Sequence, residues 1–230
     1  QLGEMAIPML TMQWRDIKQF CERLLAAIAS VPADLVPDCP LGGSVGVARY
    51  PQDGYVLESS ETSNVGGTIN STNTTFAVGD DSSKRQFKGV VSFDTSSLPD
   101  DATIQTVSLK LTQYSINGGD PWAGLGTLNV HLAAPNFGAS SALATDDFAA
   151  APTVSNVATV AKPSGNQVTV TSALTSAGVR AVSKTGKTQL RVEFSIDDDN
   201  DAANDYVNFY SGDYTTNANY RPKLEVKYTR

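Results

Sequence analysis

Alternation of apolar and polar positions dominates the chain from residue 54 onward. Phe87, Gly89, Val91 and Phe93 share one parity while Lys88, Ser92 and Asp94 share the other, so one side of this strand is predicted to meet a second layer. The same period of two returns in Leu190, Val192, Phe194 and Ile196, and again in Leu224, Val226 and Tyr228. Strands are predicted over 54–59, 74–78, 85–93, 106–114, 127–133, 156–161, 167–171, 189–196, 206–210 and 223–228, with turns at 98–101 and 117–121 where Gly, Pro and Asp gather. Short helices are expected over 142–148 and 174–182, the second closed by Gly186 after Lys184. Many short strands with few helices imply an all-β fold, an antiparallel, jelly-roll-like β-sandwich.

The first 43 residues follow a different period. Between Thr11 and Ala29, Trp14, Ile17, Phe20, Cys21, Leu24, Leu25 and Ile28 recur at spacings of three and four, the stripe of an amphipathic helix, which Pro32 and Pro37 end. Ahead of it, Met5 to Leu10 is an apolar segment too short to be a domain; with the helix, it either folds back on its own sandwich or docks on a neighbouring copy. The expected organisation is an N-terminal segment and helix over 1–43 followed by a sandwich over 44–230.

Composition narrows the functional classes. A net charge of -7 and a pI near 4.6 repel a phosphate backbone, which excludes nucleic acid as a partner. The 17 Lys and Arg are scattered, and no run approaches the roughly 20 apolar residues of a membrane span, so no membrane insertion is expected. Low Lys, abundant Thr, Ser, Asn and Gly, and a start at Gln1 fit a secreted chain at the cell surface or beyond. Cys21 and Cys39 lie 18 positions apart and form either a disulfide, worth on the order of 3 kcal/mol by chain entropy, or two buried thiols. Asn70-Ser71-Thr72 and Asn73-Thr74-Thr75 are glycosylation sequons in the same Thr-rich segment.

Catalytic constellations are sparse. The one histidine, His131, falls with Asn129 on the polar parity of its strand and reads as a solvated surface residue. Zinc would need more nitrogen and sulfur ligands than this chain offers. No enzymatic activity is expected. The strongest local signal is the loop Asp197 to Asp205, with five carboxylates in nine residues that repel one another unless water or a hard cation intervenes. Asp197, Asp199, Asp201 and Asp205 are candidate Ca²⁺ ligands, Gly79-Asp80-Asp81 a further source of oxygens, and a solvated turn is the alternative. Ala202 and Asn208 occupy places where an EF-hand needs Gly and Glu, so the loop is not one. Trp122, Tyr206, Tyr210 and Tyr214, with Tyr114 and Tyr220, are candidates for stacking on sugar rings, or else packing residues.

Several blocks together resemble DNRLRE-type domains, β-sandwich modules of secreted proteins some of which are grouped with carbohydrate-binding modules. The blocks are Gly54 to Glu61, the stretch from Gln86 ending Ser92-Phe93-Asp94-Thr95-Ser96-Ser97-Leu98-Pro99, Ala102-Thr103-Ile104, and Phe209 to Asp213 followed by Arg221-Pro222-Lys223-Leu224-Glu225-Val226. The resemblance covers about residues 50–230 and implies a sandwich fold and polysaccharide recognition. The first 40 residues have no counterpart in it. The first functional expectation is therefore a non-catalytic extracellular structural subunit whose N-terminal segment docks on copies of itself to build a fibre or filament. The alternative is a carbohydrate-binding module or adhesin.

Overall fold

The structure is a computed structural model that describes residues 41–46 and 52–230. Contacts divide the chain into Gln1–Cys39 and Pro40–Arg230. The apolar segment Met5 to Leu10, the helix expected over Thr11 to Ala29 and the Cys21–Cys39 pair lie outside the described residues.

Among the described residues the fold is all-β and antiparallel, with twelve strands. They are β1 (Leu41–Gly46), β2 (Gly54–Glu58), β3 (Gly66–Asn70), β4 (Thr75–Asp80), β5 (Gln86–Asp94), β6 (Thr103–Gly118), β7 (Leu128–Ala133), β8 (Val154–Thr159), β9 (Thr169–Ala173), β10 (Lys187–Phe194), β11 (Asp205–Tyr210) and β12 (Lys223–Thr229). Hydrogen bonding orders them β1-β12-β6-β11-β4-β5-β10-β7-β8, with β2 and β3 joining through β5, and β9 through β6.

The 16 residues of β6 would extend ~50 Å, more than one layer of a small domain spans. Its first part pairs with β12 and β9, and its last part, from Gln113 to Gly118, pairs with β11. One strand thus belongs to two layers. Val107, Leu109 and Leu111 of β6 and Leu224 and Val226 of β12 enter the same buried cluster as Phe93, Val130, Leu190 and Phe209. Full burial of each large side chain contributes roughly 1.5–3 kcal/mol, which is what holds the layers face to face.

The alternation read from β5 is kept by Val91 and Phe93, which enter this main core, whereas Phe87 joins a smaller cluster with Leu57 and Ala77. The opposite parity is not left to solvent. Val90 packs with Val56, Leu143 and Phe148, because the segment from Ala134 to Thr153 folds over that face. Three alternate residues of β10 hold the cover down. Gln189 accepts from the Phe137 amide at 2.9 Å and donates to the Ser141 carbonyl at 3.0 Å. Arg191 donates from Nη1 to the Asp147 and Ala150 carbonyls, both at 2.8 Å, and its guanidinium lies over the Phe137 ring at 4.7 Å. Glu193 takes Arg191 Nε at 2.7 Å and Lys88 Nζ at 3.4 Å, while Lys88 sits over the Phe148 ring at 4.1 Å.

Asp147, inside this cover, is 1% exposed and accepts one hydrogen bond, from the Ala144 amide at 2.9 Å. Burial pushes its carboxyl up to about 6, with Asp146 adding to the rise. A carboxyl raised on folding stabilises the fold below its unfolded value and forfeits that stability as pH climbs through its folded value, here between about pH 4 and 6. Asp147→Asn removes this dependence. Compared with the native chain in urea melts, the variant is expected to gain on the order of 2–3 kcal/mol in relative stability between pH 4.5 and 7.5. Equal differences at both pH values would refute it.

The two predicted helices shrink to a 3-10 turn, Thr145–Phe148, and a helix, Ser176–Ala181, that ends at Val182 rather than at Gly186. A further short helix, Pro121–Gly124, starts inside the predicted turn, capped by Asp120 accepting from the Trp122 amide. Among the described residues no helix is long and apolar enough to cross a membrane.

Candidate functional site

Strand β11 carries a distinct group of side chains at each end. Its first residue, Asp205, lies directly opposite Asp80 of β4 and opposite Gly118 of β6. Residues opposite one another on antiparallel strands project to the same face, so the two carboxylates are neighbours. The loop from β10 into β11 brings the others. It is wound by side-chain turns in which Asp198 accepts from the Asn200 amide, Asp199 from the Asp201 amide and Asp201 from the Ala203 amide. Asn200 and Ala202 take left-handed φ of 66° and 60°.

This winding gathers Asp199, Asp201 and Asp205, each with a carboxylate oxygen within 4.8 Å of the others. Asp197, the fourth candidate from the sequence, is exposed and outside that group. Two glycines give the carboxylates room: a Cβ on Gly119 would stand 2.1 Å from Asp205 Oδ1, and one on Gly124 2.5 Å from Asp199 Oδ2.

Asp80 and Asp81 are adjacent in sequence and opposite in circumstance. Asp81 receives Arg85 through two side-chain bonds, at 2.6 and 3.0 Å, and two backbone amides. Burial works against its charge, but these bonds prevail and hold its carboxyl below the usual range. Asp80 is 1% exposed, and its Oδ1 is buried with no hydrogen-bond partner. Burial first, then Asp199, Asp205, Asp198 and Asp201, pushes it up to about 7. Asp205 is raised as well, by burial and then by Asp199 and Asp201. Lys84, whose ammonium reaches this loop, is bound to Glu61 at 3.4 Å and to Asn200 Oδ1 at 3.2 Å.

At the other end of β11, Tyr210 is the hub of four tyrosines. Its ring lies 4.4 Å from Tyr214, 5.0 Å from Tyr220 and 5.3 Å from Tyr114. Tyr210 itself is buried, Tyr214 and Tyr220 are half-buried, and Tyr114 is 49% exposed. The other two aromatic candidates are used for packing. Trp122 meets Phe194 edge-on and donates Nε1 to the Val160 carbonyl, and Tyr206 lies against Phe87.

His131 is half-buried rather than solvated. Nδ1 accepts from the Asn156 amide at 3.3 Å and Nε2 faces Glu193 at 3.4 Å, so both ring nitrogens are engaged. Burial holds its pKa below the ordinary value, despite the opposing pull of Glu193. A shallow groove of about 370 Å³ runs beside β6, β9 and the Ser176–Ala181 helix, and Arg180 is the ionisable side chain in its lining. Of the two sequons, Asn73 is exposed, while Asn70 uses its Oδ1 to accept from the Thr72 and Asn73 amides.

No family model matches the chain, and no curated protein does. Sequence reasoning found the acidic loop and the tyrosines, but it did not separate Asp80 from Asp81 or give any role to Gly119 and Gly124. The signal it lacked was the cross-strand register that sets Asp80 against Asp205.

Proposed function

We propose that the chain is a non-catalytic extracellular structural subunit, a jelly-roll-like sandwich of DNRLRE type that assembles head to tail through its N-terminal segment. The observation that carries this reading is the position of β1. It directly follows the Gln1–Cys39 unit and stands at the end of the strand order, paired with β12 on one side and with no strand on the other among the described residues. An edge strand offers a row of unpaired backbone groups to a further strand, and an apolar leader such as Met5 to Leu10 is suited to supply one. Contacts of this kind join unlike surfaces and do not close, so they build fibres.

Light scattering and negative-stain imaging of the secreted full chain test it. Filaments are expected from the full chain, and a folded monomer from a chain lacking residues 1–39. A full chain that stays monomeric at tens of micromolar, or a truncated chain that still polymerises, would sink the proposal.

The tyrosine cluster favours a second reading, polysaccharide recognition. Tyr114 presents ring surface to solvent and meets Tyr210 edge-on, Tyr220 stacks on Tyr210 and Tyr214, and such exposed and stacked rings suit the apolar faces of pyranoses. Tyr114→Ala is expected to weaken retention in polysaccharide affinity gels without changing the melting temperature by more than a few degrees. Trp122→Ala should instead act on stability, since that ring is packed. Unchanged retention by the Tyr114 variant argues against sugar stacking at this site.

A further inference from the structure

We infer that Asp80, Asp199, Asp201 and Asp205 form a calcium site that ties the β10–β11 loop to the end of β4. Two independent observations meet here. Three carboxylates converge to within 4.8 Å of one another, and a fourth, on a different strand, is buried beside them with an oxygen that no protein group satisfies. Asp80 lies outside the group of three, but the register places it directly opposite Asp205, on the same face of the sheet and next to that group.

To stay ionised, a buried, unsatisfied carboxylate surrounded by like charges needs a counter-charge. The protein does not furnish one among the described residues. Arg85 is committed to Asp81, Lys84 to Glu61 and Asn200, and no ion pair reaches Asp80, Asp199, Asp201 or Asp205. The ligand set identifies the cation. Every donor is a carboxylate oxygen, which suits a hard ion and offers no nitrogen or sulfur for zinc. Several carboxylates gathered at one place suit Ca²⁺, which takes six to eight oxygens, better than Mg²⁺, which keeps several waters and is held by one or two carboxylates. The side-chain turns occupy Oδ1 of Asp199 and Asp201 and leave Oδ2 of each for the metal. Gly119 and Gly124 keep the approach clear of Cβ atoms.

The full chain, stripped with EDTA and titrated with CaCl₂ in a calorimeter, is expected to bind one ion per chain with a Kd of roughly 10⁻³ M or tighter, and to melt several degrees higher when saturated. Tb³⁺ is expected to give saturable luminescence excited through Trp122, which stands two positions from Gly124 and hence close to Asp199. Asp80→Asn and Asp201→Asn should each weaken calcium at least about tenfold, while Asp197→Asn leaves affinity unchanged. Asp201 is exposed and Asn is nearly isosteric with Asp, so circular dichroism in EDTA should show both variants folded. MgCl₂ should bind at least about tenfold more weakly than CaCl₂. The absence of saturable heat and Tb³⁺ signal in the native chain would overturn the site. Native-like affinity in both the Asp80 and Asp201 variants, or equal affinity for magnesium, would overturn it as well.

Discussion

Phe209→Ala is expected to cost about 3–5 kcal/mol of folding free energy, the range for truncating a buried aromatic ring. Phe209 is fully buried in β11, directly opposite Phe76 of β4, with ring centroids 5.8 Å apart and planes tilted by 36°. It also stands where the pairing of β11 with β6 shifts register, between Asn208 and Phe209. The backbone there is fixed by strands on both sides, so the void cannot collapse and the loss of contacts adds to the loss of burial. For a domain of this size each kcal/mol moves the midpoint by roughly 2–4 °C, so thermal melts should show a fall of about 10 °C. Phe209→Leu should fall by less than half as much. A fall of only 2–3 °C for the alanine variant would mean that this ring is not a central element of the core.

Arg191→Ala is expected to cost a comparable amount, about 3–5 kcal/mol, by a different route. The guanidinium bridges the sheet to its cover through two backbone carbonyls, the Phe137 ring and Glu193. Its removal leaves the Asp147 and Ala150 carbonyls without that donor and takes from Glu193 its closest cation. The cover from Ala134 to Thr153 should loosen before the sandwich melts. Chymotrypsin should then cut at Phe137 or Phe148, which are both buried in the native chain. Arg191→Lys should not rescue, because an ammonium cannot reproduce the planar fork. Unaltered proteolysis in the alanine variant would show that the cover is held by its apolar contacts alone.

Period-two alternation located the strands with strong apolar faces, because such faces must be buried whatever their partners. β1 and β3 were missed for the same physical reason. Leu41-Gly42-Gly43-Ser44-Val45-Gly46 and Gly66-Gly67-Thr68-Ile69-Asn70 hold too few side chains to alternate, and their pairing is a matter of backbone hydrogen bonds. The cover over β5 and β10 was also hidden. Gln189, Arg191 and Glu193 look like an ordinary solvated face until a segment some forty residues away in sequence lies on them. The Pro121–Gly124 helix was legible in principle, since Asp120 followed by Pro121 is a cap before a first-turn proline. At the acidic loop, composition revealed the excess of carboxylates, but which of them converge depends on where β10 stops and how the chain turns back. Asp197 leaves Phe194 too soon to join the others. Asp80 joins them only through strand pairing, which no local pattern records.

The register of β1 has a mechanical consequence. Leu41 faces Tyr228 and Gly46 faces Lys223, so the chain enters β1 at the same end of the ladder where it leaves β12. Tension drawing those two ends apart loads the hydrogen bonds one rung at a time, as in a zipper, and not all together as in shear. The first strand therefore peels away under small forces while the remaining pairs of the sandwich stay shut.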